Sequence, residues 1–329
     1  MSIRDYNSPN RYCRCRLAAT CGSVHIGVAI NSDYSDATLH RPAPLEVLQA
    51  LHLSKRLAWD PAAIDLTADR AEWQRLKVEH ADIDATTQLL QLIALFHAGE
   101  ESVTTTLAPY LDAAARTNAG LDVEMFLTSQ LYEEAKHFEF FSRYVTEVLG
   151  TDADGMERFL PGAPHAVLVG DLAEVSDRLR RTNDPVELRA TFVEAITHYM
   201  GVVEAMLART GYRGAHEALT ARGWLPGLQE GFRLIRRDEG RHVAFGIHFI
   251  GDACAADHAM RPVVQQTFER HLPNVLATVA SFVYPHPLVS VEALQSYAVG
   301  AYQQFMAAAG LADDAEAAEA LAHELEESV

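Results

Sequence analysis

Two carboxylate–imidazole pairs, each set where a hydrophobic core should be, constrain the fold of this chain more than any other feature. Glu134-Ala135-Lys136-His137 and Glu239-Gly240-Arg241-His242 are both Glu-x-x-His, so on a helix each acid and imidazole share a face one turn apart. Leu127, Leu131, Phe141 and Val145 recur at helical spacing around the first pair, and Leu228, Phe232, Ile235, Gly246 and Phe249 around the second. The polar pairs therefore interrupt apolar stripes. A buried, ionised carboxylate costs several kcal/mol unless something compensates it, and a shared metal is the simplest compensation.

One Glu-x-x-His alone carries little weight, since a chain of this composition holds about one by chance. Here each pair is preceded by a lone Glu on another apolar stripe. Glu100 interrupts Leu89, Leu92, Ile93, Phe96, Val103 and Leu107, while Glu204 interrupts Ile196, Met200, Val203 and Leu207. The two halves keep nearly the same register: Glu100 and Glu134 are 34 residues apart, Glu204 and Glu239 are 35 apart. That is an internal repeat of helix–turn–helix units, each giving Glu and then Glu-x-x-His. The expected fold is all-α, a ferritin-like four-helix di-metal bundle core with additional surrounding helices.

Four carboxylates and two imidazoles can hold two first-row metals, and hard oxygen donors without thiolate suit iron or manganese. Glu100, Glu134 and His137 are expected to form one site, and Glu204, Glu239 and His242 the other, with Glu134 bridging. Four carboxylates balance two divalent cations, so the reduced site is near neutral and the oxidised site draws anions.

Periodicity predicts helices over about 81–115, 121–149, 165–181, 185–211, 223 onward through His242, 262–283 and 291–309. A short helix is expected near Trp59-Asp60-Pro61, and residues 151–164 read as a loop. Asp184 is a plausible N-cap with Pro185 at the first helical position. Tyr284-Pro285-His286-Pro287 ends the helix before it. Residues 1–44 mix Ser, Asn, Pro, Arg and Cys and read as a mobile N-terminal arm. Residues 311–329 read as an acidic C-terminal tail.

Charge narrows the partners. With 27 Lys and Arg against 45 Asp and Glu, the formal charge is −18, which argues against nucleic acid or an anionic membrane surface. No apolar run reaches transmembrane length. Cys13, Cys15, Cys21 and Cys254 are no disulfide framework, so the expected location is cytoplasmic. Cys13, Cys15, Cys21 and His25 match no common zinc spacing. Leu17-Ala18-Ala19-Thr20-Cys21 follows arginines rather than an apolar segment, so it is not expected to be an export signal.

The pattern Trp59-x-Pro61, Glu100, Glu134-x-x-His137, Glu204 and Asp238-Glu239-x-x-His242 resembles the small subunit of class I ribonucleotide reductase, over about residues 45–310. Gly99-Glu100-Glu101-Ser102-Val103-Thr104, Tyr132 through His137, and Tyr199 through Tyr212 are similar to one branch, the ligand-binding oxidases with a mixed manganese–iron centre. That resemblance implies manganese at the Glu100 site and iron at the Glu204 site, with di-iron as the alternative occupancy. It also implies dioxygen as oxidant, a long-chain fatty acid ligand and a homodimer. It implies an ether link between Val103, three residues after Glu100, and Tyr199, five before Glu204. Trp59 and Asp238 match an electron route to His137, and as hydrogen-bonding groups they would also orient that imidazole. Ala98, Gly99, Gly201, Ala205 and Gly246 lie near the candidate ligands, where they either leave room for the fatty acid or allow close helix packing.

Two alternatives stay open. A radical-generating reductase subunit commonly carries tyrosine four residues after the first ligand histidine; here Phe141 stands there, and no tyrosine follows Tyr302. Phenylalanine has no phenolic hydrogen to lose, although one subgroup of reductases also lacks that tyrosine. The other alternative is a non-catalytic ferritin-like protein that binds metal or fatty acid.

Overall fold

The computed structural model describes residues 47–79, 84–281 and 290–312. The expectations for the N-terminal arm with its three cysteines, for residues 313–329 of the tail and for the Tyr284–Pro287 stop lie outside the described residues.

All regular structure among the described residues is helical. A short α1 (Val47–Arg56), a 3-10 turn (Pro61–Ala63) and α2 (Thr67–Glu79) lead to the core. Then come α3 (Asp84–Thr106), α4 (Ala108–Arg116), α5 (Leu121–Tyr144), α6 (Ala153–Glu157), α7 (Ala163–Arg181) and α8 (Pro185–Ile196). The chain continues through α9 (Arg209–Thr220), α10 (Pro226–Ala256), α11 (Met260–Ala280) and α12 (Val291–Ala308). The four-helix core is α3, α5, the α8–α9 rod and α10, with α7, α11 and α12 packed against it.

Three boundaries differ from expectation. The helix predicted over 81–115 is broken at Leu107, because Pro109 has no N–H to continue the ladder and opens α4 instead. The helix predicted to end near Gly211 runs on to Thr220. Gly211 is there for contact: a Cβ on it would lie 2.8 Å from the Phe96 ring. The loop predicted over 151–164 holds the short α6, capped by Asp152 through Gly155 N–H at 3.0 Å.

The middle of the α8–α9 rod, Thr197–Ala208, is π-helical. In an α-helix, residues five apart point roughly 140° away from each other. The i→i+5 bonds of a π turn stack them instead. Tyr199 and Glu204, five apart, are thereby brought towards one face.

α10 begins under a cap supplied from α2. Asp69 is fully buried and accepts the N–H groups of Gly227 at 2.7 Å and Leu228 at 2.8 Å, while the Tyr144 hydroxyl donates to it at 3.0 Å. This satisfies orphan donors of the helix start and fixes the rod that carries Asp238, Glu239 and His242.

Along each core helix the candidate ligands divide two apolar clusters. On α3, Phe96 belongs to one and Val103 to the other; on α5, Phe140 and Phe141 to one and Phe126 to the other. On α10, Phe232 and Ile235 lie on one side, Val243 and Phe245 on the other. The bundle thus carries a polar slab between two dry layers.

Candidate metal centre

Each of the four core rods brings at least one acid into the slab. Glu100, Glu134, Glu204 and Glu239 are all 5% exposed or less, and His137 and His242 are fully buried. One ligand atom from each of Glu100, Glu134, His137 and Glu239 lies within 4.8 Å of the rest, and the same holds for Glu134, Glu204, Glu239 and His242. The structure therefore brings all six residues together. It also adds a feature that the sequence reading did not assign: Glu239, like Glu134, belongs to both groups, so two carboxylates stand between the sites.

Both imidazoles turn Nδ1 inward. Nδ1 of His137 is 3.6 Å from Glu100, 3.4 Å from Glu134 and 3.2 Å from Glu239. Nδ1 of His242 is 3.0 Å from Glu134, 3.3 Å from Glu204 and 3.6 Å from Glu239. None of these contacts makes a hydrogen bond. Both Nδ1 atoms, Glu134 Oε1, Glu204 Oε2 and Glu239 Oε2 are buried without a hydrogen-bond partner. Converging orphan donor atoms of this kind fit cations between them.

The outer nitrogens are held by a second pair of acids. Nε2 of His137 lies 3.2 Å from Asp238 Oδ2, and Nε2 of His242 lies 2.9 Å from Glu133 Oε2. A carboxylate on the far ring nitrogen fixes the tautomer, leaving Nδ1 free to ligate, and raises the basicity of the ring. Asp238 also accepts from the Trp59 indole at 2.7 Å and from Lys136 Nζ at 3.0 Å. Arg241 Nη2 reaches both Glu133 and Asp238.

The charges sort into two shells. Lys136 and Arg241 offset Asp238 and Glu133. The four inner carboxylates have no such cation among the described residues, which matches two divalent ions. Burial, then the charges of Glu134 and Glu239, push Glu100 up to about 8 against the pull of His137. Burial would also raise Glu134, but the two imidazoles hold it well below the usual carboxylate range. The inner acids thus compete for too little positive charge.

Glu133, Lys136 and Arg241 were not singled out from the sequence. The available signal was position: Glu133 immediately precedes Glu134 as Asp238 precedes Glu239, so both halves read acid-Glu-x-x-His.

A cavity of about 60 Å³ adjoins the slab, lined by Glu100, Glu134, Glu239, Val103, Tyr199 and Gly99 among others. The small residues near the ligands divide by role. A Cβ on Gly99 would meet nothing within 4 Å, whereas one on Gly201 would lie 2.6 Å from Phe268 and one on Gly246 2.6 Å from Met200. Gly99 leaves space; the other two permit close packing. Phe141 sits 5.6 Å from Phe96 and 5.6 Å from Phe232, centroid to centroid, in a cluster of aromatic rings.

With this geometry in place, the chain belongs to the ribonucleotide reductase small-chain family, whose model matches residues 42–308. Solved structures of R2-like ligand-binding oxidase variants are similar over 82% of this chain and 94% of theirs, at 27% identity. A glycine-to-phenylalanine variant with anaerobically reconstituted Mn/Fe cofactor aligns with a TM-score of 0.69. A valine-to-isoleucine variant, also with anaerobically reconstituted Mn/Fe cofactor, aligns at 0.70, and a tyrosine-to-phenylalanine variant with aerobically reconstituted Mn/Fe cofactor at 0.69. Fold, buried acid–imidazole cluster and relatives together support a dinuclear metal oxidase, and the cluster can hold such a metal pair. No helix among the described residues is long and apolar enough to cross a membrane.

Proposed function

We propose that the protein is an oxygen-activating manganese–iron oxidase that binds a long-chain fatty acid and carries out a two-electron oxidation of a hydrocarbon-like substrate. Glu100, Glu134 and His137 would hold manganese, Glu204, Glu239 and His242 iron, with Glu134 and Glu239 placed to be shared. When bound, the metal pair supplies the redox chemistry that reduces dioxygen. The single observation that carries the reading is the shared cavity: Val103 and Tyr199 line it together with the inner carboxylates.

The chain's own residues set the conditions for that chemistry. Tyr199 is fully buried and its hydroxyl has no hydrogen-bond partner. Burial, then the charges of Glu134, Glu204 and Glu239, raise its pKa well above the usual phenol range. The phenol therefore stays protonated, and its oxidation has to release a proton, which neighbouring carboxylates can take. An ether link would join Tyr199 Oη to Val103 Cβ. Two hydrogens leave, one from each residue, and their two electrons pass to dioxygen. Trp59, through Asp238 and His137, offers a hydrogen-bonded path for further electrons.

The fatty acid reading rests on the apolar walls. Leu95 and Leu207 line this cavity and also a second one, of about 30 Å³, that continues towards Val279 and Leu294. An acyl chain is larger than either cavity and would have to part these two leucines.

The test is intact-mass and peptide mapping after aerobic loading with manganese and iron. The reading expects loss of two hydrogens and a joined Val103–Tyr199 peptide pair. An unlinked Val103 peptide in fully loaded protein overturns the cross-link. Radical transfer to a reductase large subunit is the competing role within the family. Phe141, which has no phenolic hydrogen to lose, argues against it, and nucleotide reduction on adding such a subunit would support it.

A further inference from the structure

The inner cavity has a second neighbour, on the outside of the bundle. A groove of about 640 Å³ runs between α9 and α10, lined by His216, Phe232, Arg233, Arg236, Arg237 and Tyr212 among others. Tyr212 is the wall between the two spaces, because it also lines the cavity that holds Glu100, Glu134 and Glu239. Its ring stacks on Phe96 at 4.7 Å, it is 2% exposed, and its hydroxyl has no hydrogen-bond partner.

The charge of this groove runs against that of the chain. The whole protein is at −18, yet three arginines face the groove against one acid, Glu230. Glu230 is taken by Arg233, at 2.7 and 2.8 Å. Arg236 makes no hydrogen bond or ion pair with the described residues and is half-buried. Arg237 donates to the Leu57 carbonyl, and its Nε is buried without a partner. An anion near this surface is repelled by most of the molecule and attracted here. Beside the arginines, Phe232 and Tyr212, 6% and 2% exposed, add a narrow apolar floor. Guanidinium over such a floor suits a molecule with an anionic head and an apolar body.

We propose that this groove binds an organic carboxylate of amphiphilic form, its head on Arg236 and Arg237 and its body against Tyr212 and Phe232. It is then the vestibule from which that molecule passes Tyr212 to the inner cavity. The vestibule role rests on the proposed function; the binding itself does not.

The experiment is calorimetric titration of the full, metal-loaded chain with octanoate, and with octan-1-ol as the uncharged control. Loss of a charge-assisted contact predicts about tenfold weaker octanoate binding in Arg236→Glu, with octanol changed by less than about twofold. Arg236→Gln, which keeps most of the side-chain bulk, should fall between wild type and Arg236→Glu. Equal octanoate affinity in all three proteins overturns the proposal, as does an equal loss for octanol. Repeating the titration on the metal-stripped chain separates the two readings. A chain that never takes up metal sinks the proposed function while the dependence on Arg236 persists; a groove indifferent to Arg236 sinks this proposal whatever the metal content.

Discussion

Glu133 on α5 and Asp238 on α10 are joined by one guanidinium: Arg241 Nη2 lies 2.5 Å from the first and 2.7 Å from the second. Each acid also holds the histidine of the opposite helix, Glu133 that of His242 and Asp238 that of His137. The two halves of the repeat are therefore cross-braced, and neither imidazole is oriented by its own helix alone.

The brace predicts a coupled loss. In Glu133→Gln the acceptor for His242 weakens and Arg241 loses a counter-ion. Metal affinity at the Glu204/Glu239/His242 site should drop about 10–100-fold, and by less at the other site. Metal content per chain after dialysis against a graded chelator checks this; equal loss at both sites would contradict it.

Asp69 makes a second prediction, on stability. Asp69→Ala leaves the N–H groups of Gly227 and Leu228 and the Tyr144 hydroxyl without their buried acceptor. Urea unfolding should show a loss of about 2–3 kcal/mol. A change within the error of the measurement would mean that water replaces the carboxylate.

His165, on the wall of the cavity that the inner acids also line, gives a pH dependence of its own. Burial pushes its imidazole down to about 4, against about 6.5 in an unfolded chain. Between these values the unfolded state binds the proton and the folded state does not, so stability is lost as pH falls from about 6.5 towards about 4. It is fully present above that window. His165→Leu should remove up to about 3 kcal/mol of this acid sensitivity, read from unfolding curves at about pH 4.5 and pH 7. An unchanged difference between the two curves would assign the acid loss to other groups.

Gly99 tests the cavity. Its missing Cβ faces open space, so Gly99→Leu can fill part of the volume without displacing backbone. Metal content should stay at the wild-type level while titrated long-chain fatty acid no longer binds. Loss of metal together with fatty acid would show that the leucine reaches the ligands instead.

The bundle itself was legible because four acids interrupted 3.6-residue apolar stripes at matching offsets, a pattern that exposed helices do not produce. Glu133 was harder. It lies roughly 100° round the helix from Glu134, where an acid reads as the solvated flank, and only the packing of α5 on α10 turns that flank inward. Lys136 and Arg241 were hidden for the same reason. The sharing of Glu239 depends on distances between rods, which no spacing along one chain encodes. The π segment left no mark in the hydrophobic period, since Met200, Val203 and Leu207 fit an α-helical stripe equally well.

That wide-bore stretch has a mechanical consequence. Glu100, Glu134 and Glu239 are mounted on α-helical rods, but Glu204 stands on a coil with one surplus residue per turn. A one-residue slip of the peptide ladder inside Thr197–Ala208 would swing its carboxylate roughly 100° about the axis while α8 and α9 kept their places. Of the four acids, this one can be re-aimed without prying the bundle apart.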